Sequence, residues 1–260
     1  MIVPTFSTLG SGPTVLMLHG IGGGHLSFAP QVEALASHGY RAVAWDMPGY
    51  GHSAPIEPYT FKGLAASCIA LIESLRCGEV TLVGHSMGAM VAQEVMARRP
   101  ELVGKLVLAG TSASFGKPDG EWQRTFVAER TAPLDAGLTM AELAARLVPE
   151  MTGPEALPEG LKLATHCMGL VNPSTYRRAL EALVTFDRRA NLANIRVPTL
   201  LIGGEHDRNA PPAAMKKMAG AIPGSTYIEL AGVGHLQNLE APDDFDALVL
   251  NFLALPRMLH

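Results

Sequence analysis

The sequence predicts an α/β fold in which a mostly parallel sheet is covered by helices on both faces. Short apolar runs of strand length alternate with longer amphipathic helical patterns along most of the 260 residues. The strand-like runs are apolar on both faces, which is typical of buried parallel strands. Residues 114–194 contain no strand-like run and are predicted to form helices inserted between two strands of the sheet.

The first part of the chain contains four predicted strands and three predicted helices. Runs of mainly apolar residues predict strands over residues 15–18, 41–45, 80–83 and 105–109. Apolar residues that recur on one helical face predict helices over residues 28–37, 61–75 and 87–98. Pro30 falls in the first turn of its helix, and Pro100 follows the end of another, so neither proline interrupts a helix.

The alternation stops at residue 114 and resumes after residue 194. Between these points, amphipathic helices are predicted over residues 121–130, 140–147 and 176–186. They are expected to be broken by prolines, namely Pro133, Pro149, Pro154, Pro158 and Pro173. Two strands (199–202 and 226–230) and two helices (212–221 and 243–253) follow. We therefore expect a core domain formed by residues 1–113 and 195–260, with residues 114–194 as a helical lid, because insertions of this kind commonly cover active sites.

Composition and charge argue against several classes of function. The net charge is −4 and charged residues make up 17% of the chain, with no cluster of Lys or Arg. We therefore expect no nucleic-acid partner and no anionic membrane surface. No apolar run reaches the roughly 18 residues of a membrane span. The N-terminus lacks a signal-peptide pattern, and Cys68, Cys77 and Cys167 have no metal-like spacing, which predicts a cytoplasmic protein without a metal site.

The most informative motif is Gly84-His85-Ser86-Met87-Gly88. It lies between a predicted strand and a predicted helix, so Ser86 is expected at the apex of a sharp, strained turn with its hydroxyl exposed. The two glycines allow the strand and the helix to pass closely. The alternative interpretation is a glycine-rich turn in which the serine only caps a helix.

A serine nucleophile needs a base, and the base needs an orienting acid. In this arrangement the acid and then the histidine follow the serine along the chain. His235 lies on a glycine-rich loop after strand 226–230, and Asp207 lies on the loop after strand 199–202. Glu205 competes with Asp207, but Pro211 begins the next helix and leaves Asp207 on the connecting loop.

An oxyanion intermediate needs two backbone N–H donors. One is predicted at Met87, the residue after the serine, at the N-terminus of a helix. The other is predicted at Ile21, with Gly22 as the alternative, in the glycine-rich loop after strand 15–18. A phosphate-binding role for that loop is disfavoured because no Lys-Ser or Lys-Thr pair ends it.

Several of these segments match one family. The matching pieces are His19-Gly20, the turn Asp46-Met47-Pro48-Gly49-Tyr50-Gly51-His52-Ser53, the elbow 84–88, the run Val197-Pro198-Thr199-Leu200 that leads to Asp207, and Gly234-His235. With them the chain resembles the lid-bearing α/β-hydrolase superfamily over nearly its full length. The resemblance implies about eight strands, although the short N-terminus leaves room for one fewer. The spacing is most similar to small bacterial enol-lactonases and carboxylesterases.

The resemblance also implies the roles of the site residues. Ser86 is the expected nucleophile, His235 the general base and Asp207 the orienting acid, with Ile21 and Met87 as oxyanion donors. A serine at the elbow, where epoxide hydrolases and haloalkane dehalogenases carry aspartate, argues against both of those activities.

The residues predict a serine hydrolase that cleaves a carboxylic ester or lactone through an acyl-enzyme, with no metal or organic cofactor. Alternatives are a carbon–carbon bond hydrolase of ring-fission products and a ligand receptor on a hydrolase scaffold. The partner is expected to be a small-molecule substrate, and no sequence pattern indicates an oligomeric state. Residues of the predicted lid that are candidates for apolar substrate contacts, or simply for packing on the core, are Trp122, Phe126, Met140, Met151 and Met168. Candidates for binding a substrate carboxylate are Arg124, Arg130, Arg177 and Arg178.

Overall fold

The computed structural model describes residues 3–115 and 120–255, and within them seven strands form a single sheet. The strands are β1 (Phe6–Leu9), β2 (Thr14–Leu18), β3 (Arg41–Trp45), β4 (Val80–His85), β5 (Val103–Ala109), β6 (Thr199–Gly204) and β7 (Thr226–Leu230). Their order across the sheet is β1-β3-β2-β4-β5-β6-β7. Strand β1 is antiparallel to β3, and every other pair is parallel. The predicted mostly parallel sheet of seven to eight strands is confirmed.

Helices lie on both faces of the sheet. They are α1 (Ala29–Ser37), α2 (Phe61–Leu75), α3 (Met87–Arg98), α4 (Glu121–Asp135), α5 (Met140–Met151), α6 (Pro158–Gly169), α7 (Pro173–Leu183), α8 (Pro212–Ala221), α9 (Gln237–Glu240) and α10 (Pro242–Ala254). Successive residues of a strand point to opposite faces. Leu16 therefore joins the apolar core that contains α2 and α3, whereas Met17 joins the core formed by α1 and α10.

The structure differs from the sequence prediction at β1, α6 and α9, which were not predicted, and at Pro133 and Pro149, which lie inside α4 and α5 rather than between helices. Strand β1 was not predicted, because its four residues form an exposed edge strand rather than an apolar run. It is held in register by β3, with Phe6 opposite Trp45. Helix α6 was not predicted either, since Pro158 was interpreted as a break. A proline in the first turn of a helix lacks only an N–H that would be unbonded there, so Pro158 begins the helix instead.

The helical insertion, residues 114–194, runs between β5 and β6 and contains α4 to α7. Residues 116–119 of it lie outside the described residues, as do positions 1–2 and 256–260 of the predicted core domain. The two ends of the insertion meet, because the N–H of Phe115 donates to Phe186 O at 2.9 Å. The insertion also contacts the loop that follows β3, where Thr175 Oγ1 donates to Gly49 O at 3.1 Å. No helix in the described part of the chain is long and apolar enough to cross a membrane.

Candidate active site

Ser86 occupies a strained turn between β4 and α3. Its φ of 52° and ψ of −119° are rare for a residue with a side chain and cost about 1–3 kcal/mol. The close packing of the turn maintains this conformation. A Cβ on Gly84 would overlap with Ala89, and a Cβ on Gly88 would overlap with the carbonyl oxygen of Leu18. Ser86 is partly exposed although its chain neighbours are buried, so its hydroxyl is accessible at the carboxyl edge of the sheet.

A continuous hydrogen-bond chain connects Ser86, His235 and Asp207. His235 Nε2 lies 3.0 Å from Ser86 Oγ, and His235 Nδ1 lies 2.8 Å from Asp207 Oδ2. His235 and Asp207 are buried, with 7% and 2% exposure. A carboxylate accepts the Nδ1–H proton, so Nε2 is the unprotonated nitrogen and accepts from the serine hydroxyl. The structure thus brings the predicted nucleophile, base and acid together, while their catalytic roles stay predictions.

The Asp207 carboxylate is oriented by its own loop. Its Oδ1 accepts the N–H groups of Asn209 and Ala210, each at 2.8 Å, and its Oδ2 also accepts Gln237 Nε2 at 3.2 Å. Burial alone would raise the pKa of Asp207, but the charge and hydrogen bond of His235 and the two N–H donors outweigh burial and lower the pKa to about 2. The Asp207 carboxylate is therefore ionised at neutral pH, where it accepts the Nδ1–H of His235.

Glu205, the competing acid, lies elsewhere. Its carboxylate accepts the N–H of Gly232 at 2.9 Å and is about half exposed. It makes no hydrogen bond to His235 in the described part of the chain. The geometry therefore places Asp207, rather than Glu205, against the histidine.

Burial and charge act in opposite directions on His235. Burial would lower its pKa, but the charge of Asp207, the hydrogen bond to Asp207 and the charge of Glu240 together raise the pKa above its ordinary value of 6.5. The neighbouring His85 behaves differently. Burial and the nearby His235 lower the pKa of His85 to about 4, so it stays neutral.

His85 contacts the backbone of His235, the candidate general base, and the sequence did not indicate this contact. Its Nε2 lies 2.7 Å from His235 O, and because a carbonyl only accepts, Nε2 carries the proton. The two rings lie 5.1 Å apart. His85 is therefore part of the support of the His235 loop.

The loop after β2 approaches the serine through Gly20. A Cβ on Gly20 would lie 3.0 Å from Ser86 Cβ, so a side chain at this position would require its neighbours to move by a few tenths of an ångström. His19 is fully buried and fixes this loop: its Nε2 accepts the N–H of Met47 at 3.0 Å, and its Nδ1–H then donates to Gly20 O at 2.8 Å. Burial lowers the pKa of His19 to about 4, which keeps this neutral tautomer.

The two predicted oxyanion donors follow the residues of this contact: Ile21 follows Gly20 in the loop after β2, and Met87 follows Ser86 at the start of α3. Tyr50 donates its hydroxyl proton to Ile21 O at 2.8 Å and so fixes the peptide groups around Ile21. Among the hydrogen bonds of residues 3–115 and 120–255, neither the N–H of Ile21 nor the N–H of Met87 has an acceptor. Both N–H groups thus lack an acceptor among the described residues, and their role as oxyanion donors stays a prediction.

The predicted apolar lid residues have different environments. Met140 and Met168 are buried, Phe126 and Met151 are half-buried, and Trp122 is 59% exposed. Met168 contacts the loop after β2, since a Cβ on Gly22 would lie 3.3 Å from its Sδ. Met168 is therefore the methionine of the insertion that lies beside a predicted oxyanion donor.

The predicted carboxylate-binding arginines also separate into groups. Arg177 pairs with Asp135 at 2.6 Å, and Arg178 pairs with Glu57 at 3.1 Å. Arg130 is half-buried, lies over the ring of Phe126 at 3.7 Å and has no ion-pair partner among the described residues. Burial lowers the pKa of Arg130, as expected for a cation without a close anion.

Comparison with known proteins gives consistent matches over nearly the whole chain. The family model described as the alpha/beta hydrolase fold matches residues 13–242. A Mycobacterium tuberculosis protein provisionally named non-heme bromoperoxidase BpoC is 30% identical over 98% of both chains. Its crystal structure superimposes with a TM-score of 0.84 over 97% of this chain and 96% of that one.

Two further similar proteins carry names of hydrolases. The enol-lactonase from Burkholderia xenovorans LB400 is 28% identical, with a TM-score of 0.83 and coverage of 96% of both chains. A protein from Caulobacter sp. strain K31, provisionally named carbamate hydrolase RutD, is 28% identical over 93% of this chain and 90% of its own. Because the family match spans most of the chain, this protein belongs to the α/β-hydrolase fold family.

Proposed function

We propose that this protein is a serine hydrolase that cleaves a carboxylic ester or lactone through an acyl-enzyme. The observation that carries the proposal is the hydrogen-bond chain from Ser86 Oγ through His235 to Asp207, with distances of 3.0 and 2.8 Å. A hydroxyl in contact with an unprotonated imidazole nitrogen is an activated nucleophile. The names of the enol-lactonase and of the RutD relative support the reaction class, since both names denote attack on an acyl carbon.

The proposed reaction has two halves that use the same groups. Ser86 Oγ attacks the carbonyl carbon while His235 Nε2 takes the hydroxyl proton. The N–H groups of Ile21 and Met87 hydrogen-bond the resulting oxyanion, each contributing about 3–4 kcal/mol to the transition state. His235 then protonates the leaving alcohol oxygen, and the carbon–oxygen bond breaks. In a lactone this alcohol remains attached to the acyl group.

Water completes the cycle. His235 takes a proton from a water molecule, whose oxygen attacks the acyl-enzyme and forms a second oxyanion at the same two N–H groups. The proton returns from His235 to Ser86 Oγ as the ester bond to serine breaks, and the carboxylic acid leaves. Asp207 stabilises the imidazolium that forms in each half without itself becoming protonated. The reaction needs no metal or organic cofactor, and the expected cytoplasmic location stays a prediction.

The test is hydrolysis of a p-nitrophenyl ester series, from acetate to dodecanoate, together with several lactones. Ser86→Ala is expected to lower kcat at least about a thousandfold, because it removes the nucleophile. Ser67→Ala is the matched control: it removes a buried serine on α2 whose hydroxyl donates to Gly63 O, and kcat should stay unchanged. Mass spectrometry should find a phosphonate inhibitor attached to Ser86. Turnover that survives in Ser86→Ala would contradict the proposal.

The alternatives from the sequence are separate outcomes of this test. Cleavage of a coloured dienone ring-fission product, without ester or lactone turnover, would indicate carbon–carbon bond hydrolysis by the same residues. Tight binding of a small ligand without turnover of any substrate would indicate a receptor.

The similarity to a provisionally named bromoperoxidase favours one second candidate, perhydrolysis. Hydrogen peroxide can attack the acyl-enzyme in place of water, which releases a peroxy acid and restores Ser86. The peroxy acid then oxidises bromide to hypobromous acid and becomes the carboxylic acid. Ser86-dependent bromination of monochlorodimedone in the presence of acetate, peroxide and bromide tests this candidate. Bromination that continues in Ser86→Ala would contradict it.

A further inference from the structure

Glu240 is a buried carboxylate outside the Ser86–His235–Asp207 chain. It ends the short helix α9 and is 1% exposed. It has no ion-pair partner among the described residues. Burial of an unpaired carboxylate is costly unless hydrogen bonds replace the lost water. Three backbone N–H groups do so here, those of Gly153, Gly234 and Leu236, each at 2.7 Å.

Two of these donors flank the candidate general base. Gly234 donates to Glu240 Oε2 and Leu236 donates to Glu240 Oε1, so one carboxylate holds the backbone on both sides of His235. The N–H of His235 itself donates to Met151 O, at the end of α5, at 2.7 Å. The position of the imidazole therefore depends on contacts from outside its own loop.

The third donor belongs to the helical insertion. Gly153 lies in the connection between α5 and α6, and its N–H shares Glu240 Oε2 with Gly234. Backbone hydrogen bonds extend this contact on both sides: Glu155 N–H donates to Gly232 O at 3.2 Å, and Leu157 N–H donates to Glu240 O at 3.1 Å. The insertion and the His235 loop are thus joined around this one side chain.

We propose that Glu240 is a positioning residue that fixes His235 over Ser86 and holds the helical insertion in register with the His235 loop. This inference rests on the proposed function, because it assigns Glu240 a part in placing the general base. The proton transfer needs His235 Nε2 within about 3 Å of Ser86 Oγ, and a displacement of about 1 Å costs as much as a hundredfold in rate. A clamp on both neighbours of His235 limits such displacement.

The variant Glu240→Gln tests the clamp with almost no change of volume. An amide keeps one accepting oxygen and places an NH₂ group where the second oxygen was. Either Leu236 or the pair Gly153 and Gly234 must then lose its acceptor. We expect kcat for a p-nitrophenyl ester to fall about tenfold or more with KM changed less than twofold, because ester binding does not require the base to be aligned. Glu240→Asp, which keeps the charge, should recover part of kcat.

Glu205→Gln is the matched control. Glu205 also accepts an N–H from this loop, that of Gly232, but it is exposed and bonds neither neighbour of His235. Its kcat should stay within twofold of wild type. Thermal unfolding of each variant shows whether a loss of activity comes only from unfolding. If Glu240→Gln does not fold, the same measurements are made on Glu240→Asp.

Hydrogen–deuterium exchange tests the second half of the proposal without any substrate. Glu240→Gln should speed exchange in residues 150–157 and 232–240 together, while the sheet stays protected. An increase in one segment alone, or in neither, would overturn the coupling. Wild-type kcat in Glu240→Gln would overturn the positioning role. Failure of the proposed function is a different result, in which Ser86→Ala leaves turnover unchanged or wild type has none. In that case two measurements still decide the role of Glu240. They are hydrogen–deuterium exchange in residues 150–157 and 232–240, and the rate at which a phosphonate inhibitor reacts with Ser86.

Discussion

Replacement of Asp207 by asparagine is expected to reverse the proton arrangement of His235. The two N–H groups of Asn209 and Ala210 both point at the Oδ1 position, at 2.8 Å. They will hold the amide oxygen of Asp207→Asn at that position, because an NH₂ group there would face two donors. The NH₂ group is then directed at His235 Nδ1, which lies 2.8 Å from the present Oδ2.

This orientation gives the size of the effect. An NH₂ group donates to Nδ1, so Nδ1 loses its proton and Nε2 gains one. A protonated Nε2 cannot accept the hydroxyl proton of Ser86, whose oxygen lies 3.0 Å away. The wrong tautomer with otherwise intact geometry lowers kcat about 10⁴-fold in a serine protease, equivalent to about 5 kcal/mol. We expect a loss of the same order here.

The assay is steady-state hydrolysis of the best p-nitrophenyl ester by wild type, Asp207→Asn and Glu205→Gln. Ser86→Ala provides the background rate. Glu205→Gln should keep kcat within twofold, since Glu205 bonds Gly232 rather than His235. A loss below tenfold in Asp207→Asn would refute the reasoning. A large loss in Glu205→Gln instead would identify Glu205 as the orienting acid.

Three further predictions concern the same site. Because the pKa of His235 is raised and its Nε2 must be unprotonated to accept the Ser86 proton, kcat/KM should rise with pH through a midpoint above 6.5; a midpoint below 6 would contradict this. Gly20→Ala, whose methyl group would lie 3.0 Å from Ser86 Cβ, should lower kcat up to about tenfold, with circular dichroism showing that the fold is retained; unchanged kcat would mean that the loop yields without displacing Ser86. Arg130→Gln should raise KM about tenfold for an ester that carries a carboxylate and leave a neutral ester unaffected, whereas Arg178→Gln should change neither; equal effects on both esters would rule out charge recognition.

Most of the fold was predictable because buried parallel strands leave a strong pattern. The runs in β2 to β7 are apolar or bounded by turn residues, and the helices between them show one apolar face. The edge strand β1 leaves no such pattern, since it is defined by its pairing with β3, whose residues lie 33 (Leu9↔Ala42) to 39 (Phe6↔Trp45) positions away. Helix α6 was not predicted because a proline can either begin a helix or break one, and the sequence alone does not show which of the two Pro158 does.

The residues of the candidate site also form two groups, those that the sequence predicted and those that it did not. Ser86 was predicted as the nucleophile from its motif, and Asp207 and His235 were predicted as acid and base from their order after the strands; their roles stay predictions. The supports of the site were not found, because each depends on contacts between distant residues. His85 bonds the carbonyl of His235, and Glu240 bonds Gly153, 87 positions away. Nothing in a single sequence distinguishes such a buried carboxylate from a solvated one.

The choice between Glu205 and Asp207 does have a local physical signal. An aspartate carboxylate can accept the N–H groups two and three residues further on, which forms a compact turn. Asp207 does this with Asn209 and Ala210, so the loop itself orients the carboxylate before His235 contacts it. Glutamate has one more methylene group and forms this turn less well, and Glu205 instead reaches across to Gly232. The orienting acid of such a site is therefore expected at the residue whose side chain can bond its own loop. The variant Ala210→Pro lacks one of the two N–H donors to Asp207. Its kcat for the p-nitrophenyl ester should therefore fall, while the contact between Ser86 and His235 stays unchanged.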